Sequence, residues 1–552
     1  MPETADRDRL FPELNDAQIA RLAQRGKRVA VKRGEELWRV GATKMNFYVV
    51  LSGTIEVVRP LPGGEETLTV HGPRQFTGDV DLIFGSRAVV AARAGADGEV
   101  LELTRESLLD VVQTDPELSD LILLTFLQRR AFLIAHGKGD AVLVGSRHSA
   151  DTLRLREFLM RNGRPCTYLD VETDEGVQDL LERFHVRPGD LPVLILRGEV
   201  ILRRPSNAEV AGELGLTAAL EESKIYDVII AGAGPAGLAA AVYAASEGLQ
   251  ILVLETHAPG GQAGTSSRIE NYFGFPGGIT GQELAARGFT QANKFGARFA
   301  VARSGVGLER GERTYSVVLD GGGSVRARSV IIACGVRYRP ADIPGVERFE
   351  GTCVHHAATN IEAQLCSGEE VAIVGGGNSA GQAAVYLARV VRHVHILVRG
   401  SSLAESMSRY LIRVLEELPD VTIHTRTRIV RLEGEAPHLK RVTWRNEETG
   451  KEETHHIQHV FLMIGADPNT GWLEGALTLD EKGFIKTGND LGSAERTAAR
   501  WPLGREPYTL ETVLPAVFAV GDVRSGSVKR IAAAVGEGAS SVQLLFRALQ
   551  ES

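Results

Sequence analysis

A chain of 552 residues is too long for a single hydrophobic core and implies about three or four domains. Hydrophobic residues make up 43% and charged residues 24%, a globular balance that excludes a disordered chain. The formal charge is −8, from 62 Lys and Arg against 70 Asp and Glu, so nothing in the overall field attracts nucleic acid or an anionic membrane.

The first ten residues carry charges where a signal peptide needs an apolar stretch. No apolar run is long enough to span a bilayer. A cytoplasmic protein without a membrane partner is therefore expected. Cys166, Cys334, Cys353 and Cys366 show neither CxxC nor metal-ligand spacing, which argues against a disulfide framework or a zinc site.

Residues 28–103 read as short strands separated by glycine turns. Alternation is plain in Phe47 to Leu51 and in Thr54 to Val58. Such a pattern predicts a small antiparallel barrel or jelly roll. Apolar residues at helical spacing (Leu108, Leu109, Val112, Leu118, Leu121, Ile122) predict closing helices over 105–136. The next stretch predicts strand (Ala141 to Gly145), helix (Ala150 to Asn162), strand (Thr167 to Val171) and helix (Val177 to Phe184). Strands around Val193 and Val200 and a helix near Ala208 to Leu214 complete a compact α/β unit. From about Ile225 onward strands and helices alternate, which implies parallel sheets covered on both faces.

Two glycine fingerprints lie in this last segment. The apolar strand Tyr226 to Ala231 runs into Gly232-Ala233-Gly234-Pro235-Ala236-Gly237 and then an alanine-rich helix. Gly232 permits the tight turn, Gly234 lets backbone approach a diphosphate, and Gly237 lets the helix pack closely on the strand. The helix N-terminus supplies free N–H groups for the phosphates. A second strand, Ile251 to Leu254, ends in Glu255, placed to accept from a ribose. The second fingerprint, Gly375-Gly376-Gly377-Asn378-Ser379-Ala380, follows the strand Val371 to Val374. Its next strand ends in Arg399 rather than an acid, which suits the 2′-phosphate of NADPH better than the free ribose of NADH, the alternative.

Further motifs, in order, resemble those of thioredoxin reductases, and the resemblance covers residues 225–552. Gly260-Gly261-Gln262 and Ile269 to Pro276, with Asn271, match the segment that lies along the flavin in that family. Ile331 to Ala333 with Cys334 and Gly335 is similar to its strand-to-glycine turn near FAD. Val517 to Val520 with Gly521 and Asp522 resembles its second flavin motif, followed by Arg530, Ile531 and Ala532 at the start of a helix suited to the flavin's pyrimidine edge. Gly465 resembles the return to the FAD domain. The resemblance implies FAD and NADPH as cofactors, two Rossmann-like domains, a homodimer and NADPH-domain rotation. It breaks at one place. The family's Cys-Ala-Thr-Cys corresponds to Ala357-Ala358-Thr359-Asn360, which can form no thiolate or mixed disulfide.

The middle unit resembles a thioredoxin or glutaredoxin domain. Ser146-Arg147-His148-Ser149 stands where such domains carry CxxC, and Leu191-Pro192-Val193 matches their cis-proline turn. The first unit resembles cyclic-nucleotide-binding domains. Gly78 and Asp79 align with the Gly-Glu pair for the ribose, and Arg87 with the arginine for the cyclic phosphate. Asp81 adds a negative charge there that works against a phosphate. The expected domains are thus cyclic-nucleotide-binding-like (1–137), thioredoxin-like without CxxC (138–222), FAD-binding (223–341 and 471–552) and NAD(P)H-binding (342–470).

Together these imply an FAD-dependent enzyme passing hydride from NADPH to flavin and electrons to an acceptor other than a dithiol: oxygen, a quinone, ferredoxin or another. No catalytic side chain is named, since hydride transfer needs none. One alternative is a flavoprotein sensor with little turnover, responding to a cyclic nucleotide or a partner. A second is a disulfide reductase using the cysteines outside any motif.

Overall fold

The computed structural model describes residues 9–551 apart from 62–63, 137–138, 175–176, 178–180, 183–184, 198–199, 219, 222 and 267. The helix expected at Val177 to Phe184 falls largely outside the described residues.

The first unit is an antiparallel sheet as predicted, but two of its five strands, of 15 and 13 residues, are long rather than short. Lys27–Val31 (β1), Glu36–Trp38 (β2), Phe47–Leu61 (β3), Gly64–His71 (β4) and Ala91–Leu103 (β5) pair in the order β1-β5-β3-β4, with β2 on β5. Helices Asp16–Ala23 (α1), Val80–Phe84 (α2), Arg105–Thr114 (α3) and Pro116–Ala135 (α4) cover it. α4 starts where it does because Asp115 caps it, accepting from Leu118 N at 3.1 Å, and Pro116 takes the position that needs no N–H. Phe47, Phe76 and Phe126 meet in the core.

The second unit has Ala141–Gly145 (β6), helix Ala150–Arg161 (α5), Cys166–Asp170 (β7), Val193–Leu196 (β8), Val200–Arg203 (β9) and helix Asn207–Glu213 (α6). The strand order is β7-β6-β8-β9, with β6 parallel to β7 and antiparallel to β8. The Leu191–Pro192 bond is cis, as the resemblance to thioredoxin domains implies.

In the third unit Ile225–Ala231 (β10), helix Pro235–Ser246 (α7), Ile251–Glu255 (β11), helix Gly281–Lys294 (α8), Arg298–Val301 (β12), Gly305–Arg310 (β13), Tyr315–Leu319 (β14) and Ser324–Ile332 (β15) form most of a seven-stranded sheet. Its order is β12-β11-β10-β15-β14-β13, and a late strand joins β15 from the far end of the chain. Val336–Tyr338 (β16) leads out into a second Rossmann-like domain. That domain has Val354–His355 (β17), helix Asn360–Leu365 (α9), Glu370–Val374 (β18), helix Asn378–Leu387 (α10), His393–Leu397 (β19), helix Arg409–Glu417 (α11) and Val421–His424 (β20). Thr427–Glu435 (β21), His438–Asn446 (β22) and Glu452–His455 (β23) make a three-stranded flap, and His459–Leu462 (β24) closes the parallel order β17-β24-β18-β19-β20. Ala466–Pro468 (β25) pairs antiparallel with β16, so one two-stranded ladder carries the chain out and back. The late strand is Val517–Ala519 (β26), paired parallel with β15 and followed by helix Ile531–Glu551 (α12).

The alanines of α7 let it sit close on the sheet and against α12. A Cβ on Gly237 would lie 1.9 Å from the Gly232 carbonyl oxygen, and one on Gly538 would lie 2.1 Å from that of Ala236. Only glycine allows either approach.

Candidate functional site: a cleft shared by two dinucleotide folds

A cleft of about 940 Å³ opens where the carboxyl ends of β10, β11 and β15 meet the start of α10. Gly234, Pro235 and Ala236 line it at the start of α7, which presents its free N–H groups there. A Cβ on Gly234 would meet only the Gly261 Cα, at 4.0 Å, so the approach to the backbone is open as a diphosphate requires. Gly232 also lines the cleft, and Gly237 works behind it. Gly232 holds φ +107 against Ala333, and Gly237 seats the helix.

Glu255 ends β11 and is held rigidly. Its carboxylate accepts from Ala233 N at 2.7 Å, His257 N at 2.9 Å and Ala258 N at 3.3 Å. Gln262 donates to the Val336 carbonyl at 2.6 Å, tying the flavin-side loop to the ladder that leaves the domain. Gly261, Gln262, Asn271, Cys334 and Gly335 all line the cleft. Cys334 donates its S–H to the Asn469 carbonyl at 3.0 Å, and burial pushes its thiol up to about 12. Both features place it as a packing residue of the turn.

The second flavin motif closes the same cleft. Gly521 (φ +74) donates its N–H to Glu537 at 2.7 Å, and Glu537 also holds Arg524 at 2.6 Å. Burial raises the Asp522 carboxyl and lowers the Lys529 ammonium. Lys529 in turn donates to the Asp522 carbonyl. Arg530 and Ile531 line the cleft as expected, whereas Ala532 is exposed and Ala534 takes its place. The reason is helical phase: α12 begins at Ile531, so its inward face continues three residues on.

Of the nicotinamide fingerprint, Asn378 and Ser379 reach the cleft, with Gln382, Ala383 and Met463 beside them. Gly375 (φ +146) makes the turn, where a Cβ would lie 2.3 Å from the Met463 carbonyl oxygen. Gly377 caps α10 with open space around it, Ala380 is fully buried, and Gly465 (φ +97) turns the chain homeward. None of these four lines the cleft. Arg399 is exposed at the end of β19, without an ion-pair partner among the described residues. An open cradle at each fingerprint, a fixed acid on one strand and a free arginine on the other fit FAD and NADPH respectively.

The stretch that replaces the dithiol also faces the cleft through His356, Ala357 and Ala358. His356 stacks on Tyr338 (centroids 5.4 Å, planes 14° apart). Thr359 caps α9, which Asn360 opens. All four cysteines are free. Burial pushes Cys166 up to about 11, Cys366 up to about 12 and Cys353 upward. In the middle unit Ser149 caps α5, accepting from Thr152 N at 3.4 Å, while Ser146 bonds Glu172 and accepts from His148 N.

Of the residues expected at a nucleotide in the first unit, the acid is engaged in ion pairs. Asp79 caps α2 and pairs with Arg130, and so does Asp81, which also meets Arg164 at 3.1 Å. Asp79 is therefore committed inside an ion-pair cluster. A Cβ at Gly78 would strike Leu82 and Phe126 (2.4 and 2.9 Å), so side chains fill that side of the glycine. Arg87 lies over Gly215 of the second unit, at the junction between the two.

Two dinucleotide folds opening onto one cleft define a flavin oxidoreductase with a nicotinamide co-substrate. Residues 226–538 match the pyridine nucleotide-disulphide oxidoreductase family, and the chain belongs to that family: it is an FAD-dependent NAD(P)H oxidoreductase. Residues 28–115 match the cyclic nucleotide-binding domain. The chain is 34% identical to thioredoxin reductase of Bacillus subtilis (strain 168) over 336 residues, 60% of this chain and 98% of that one. It is 32% identical to NADPH-dependent thioredoxin reductase 3 of Arabidopsis thaliana, over 62% of this chain and 60% of that one. Among solved structures, the Lactococcus lactis thioredoxin reductase in its FR conformation superposes with a TM-score of 0.53 at 28% identity, covering 59% of this chain and all of that one.

Sequence reasoning missed Glu537, which fixes Gly521, and Arg161, which enters the cleft from the second unit. A glycine inside an apolar helix, Gly538, was the available signal for the close α7–α12 contact.

Proposed function

We propose that the protein oxidises NADPH and delivers the electrons to an acceptor that is not a dithiol. The observation that carries this is Ala357 in the cleft wall, beside the His356–Tyr338 stack, where relatives of this type would present a redox cysteine. The raised thiols of Cys166, Cys334, Cys353 and Cys366 support it, since a thiolate relay needs the opposite shift. When bound, the nicotinamide supplies a hydride and the flavin ring takes it up. The chain's own residues position: α7 and Glu255 hold one dinucleotide, and α10 with Arg399 the other. His356 and Tyr338 offer an acceptor a flat, partly polar wall. Arg399 favours NADPH over NADH.

Stopped-flow mixing of the holoenzyme with NADPH, then with oxygen, quinones, ferredoxin or disulfides, tests the proposal. Flavin bleaching followed by reoxidation with a non-thiol acceptor, unchanged when all four cysteines are Ser, is the expected result. Failure to bleach would favour a sensor with little turnover, and turnover lost with the cysteines would restore the disulfide reading.

A further inference from the structure

Helix α5 of the second unit lies along the joint between the two Rossmann-like domains. Its twelve residues span about 18 Å. Near its start Ala150 packs at Gly351 of the nicotinamide domain, and Arg156 donates to Gln364 at 2.8 Å. At its end the partners belong to the flavin domain. Met160 O accepts from Gln282 at 2.9 Å, Asn162 donates to the His257 carbonyl at 3.0 Å, and Arg161 Nη2 donates to the Gly261 carbonyl at 2.7 Å.

Arg161 stands out within that contact. Its side chain is 15% exposed, and Nη1 meets Glu157 at 3.3 Å. Its Nε is buried and has no hydrogen-bond partner. It lines the cleft beside Gly261, whose loop packs on Gly234, the glycine that opens α7 to a diphosphate. Arg154 lines the cleft too, but its nitrogens are committed to Asp151, Asn207 and the Pro205 carbonyl. The N-terminus of α7 supplies about half a positive charge against the two negative charges of a dinucleotide diphosphate. A guanidinium with donors left over is the group that answers the remainder, because its fork matches phosphate oxygens.

We propose that Arg161, carried by the thioredoxin-like unit, is a ligand of the FAD diphosphate, so that this unit forms part of the flavin site. The unit that has lost its redox motif thereby keeps a role at the cofactor. The proposal concerns cofactor retention and is independent of the acceptor.

The test uses full-length apoprotein, titrated with FAD, ADP and riboflavin by fluorescence. Arg161→Gln is expected to weaken FAD and ADP about tenfold while leaving riboflavin binding unchanged, and Arg161→Lys to give an intermediate loss. Arg156→Gln, on the nicotinamide side of the same helix, is expected to leave all three unchanged. Unaltered FAD and ADP affinity in Arg161→Gln overturns the proposal. So does an equal loss for riboflavin, which would assign Arg161 to shaping the Gly261 loop. Should Arg161→Gln lose its far-UV circular dichroism, the Lys variant decides by the same ADP-to-riboflavin comparison.

Discussion

His355 on β17 and His459 on β24 are buried together in the nicotinamide domain, with His355 Nε2 and His459 Nδ1 3.0 Å apart. Burial, with His459 and His356 nearby, pushes His355 down to about 3; burial, with His148 nearby, pushes His459 down to about 4. Both are neutral in the folded chain and regain an ordinary value near 6.5 on unfolding. A depressed folded value means that the stability is present above about 6.5 and is lost as pH falls toward the folded values. Between pH 8 and pH 5 the unfolded state gains about 2 kcal/mol per histidine, about 4 kcal/mol for the pair. The sum needs only that both folded values lie below 5. The assay is urea unfolding of the nicotinamide domain followed through Trp444, which lies in its core, with Trp38, Trp472 and Trp501 replaced by Phe. His355→Gln is expected to reduce the loss between the two pH values by about 2 kcal/mol. A variant that loses as much stability as the parent would refute the reasoning, because the remaining acid-sensitive groups are common to both.

Gly237→Ala places a methyl 1.9 Å from the Gly232 carbonyl, so the helix must lift, at a cost of at least about 1–3 kcal/mol. Flavin should be shed on gel filtration with a lowered unfolding temperature. Arg130→Met leaves Asp79 and Asp81 buried without their main cation, a loss of about 3–5 kcal/mol. Because unpaired buried carboxyls are pushed up, this defect should shrink as pH falls from 8 to 5, which thermal unfolding at the two values will show. Arg399→Glu should lower the ratio of kcat/KM for NADPH to that for NADH by at least about tenfold, and an unchanged ratio would remove Arg399 from the 2′-phosphate.

The parts of the site that sequence disclosed are those where backbone geometry demands a residue type. Gly232, Gly237 and Gly375 sit where a Cβ would strike backbone oxygen or carbon, and Glu255 ends its strand where three N–H groups converge. Ala532 was expected at the flavin, but on the helix that starts at Ile531 it is exposed and Ala534 faces the cleft instead. Asp79 was readable as an acid near an anion site, but its partner Arg130 lies 51 residues away on α4, where a basic residue resembles any solvated helix position. Arg161 was invisible for the same reason. It ends an amphipathic helix and meets Gly261 across 100 residues of chain. Contacts between units leave no period in the sequence to find.

The late pairing of β26 with β15 also bears on biosynthesis. The glycine turn, the fixed acid and the module bearing Arg161 have all been translated before residues 517–538 leave the ribosome, yet Gly521, Asp522 and the helix that packs on Gly237's neighbour Ala236 belong to that last stretch. Units that fold in order of synthesis will therefore wait, with the flavin cleft open on one side, until residues 517–538 have emerged. Cofactor capture is thereby tied to synthesis of residues 517–538, and a truncated product ending before β26 has no second wall with which to keep its flavin.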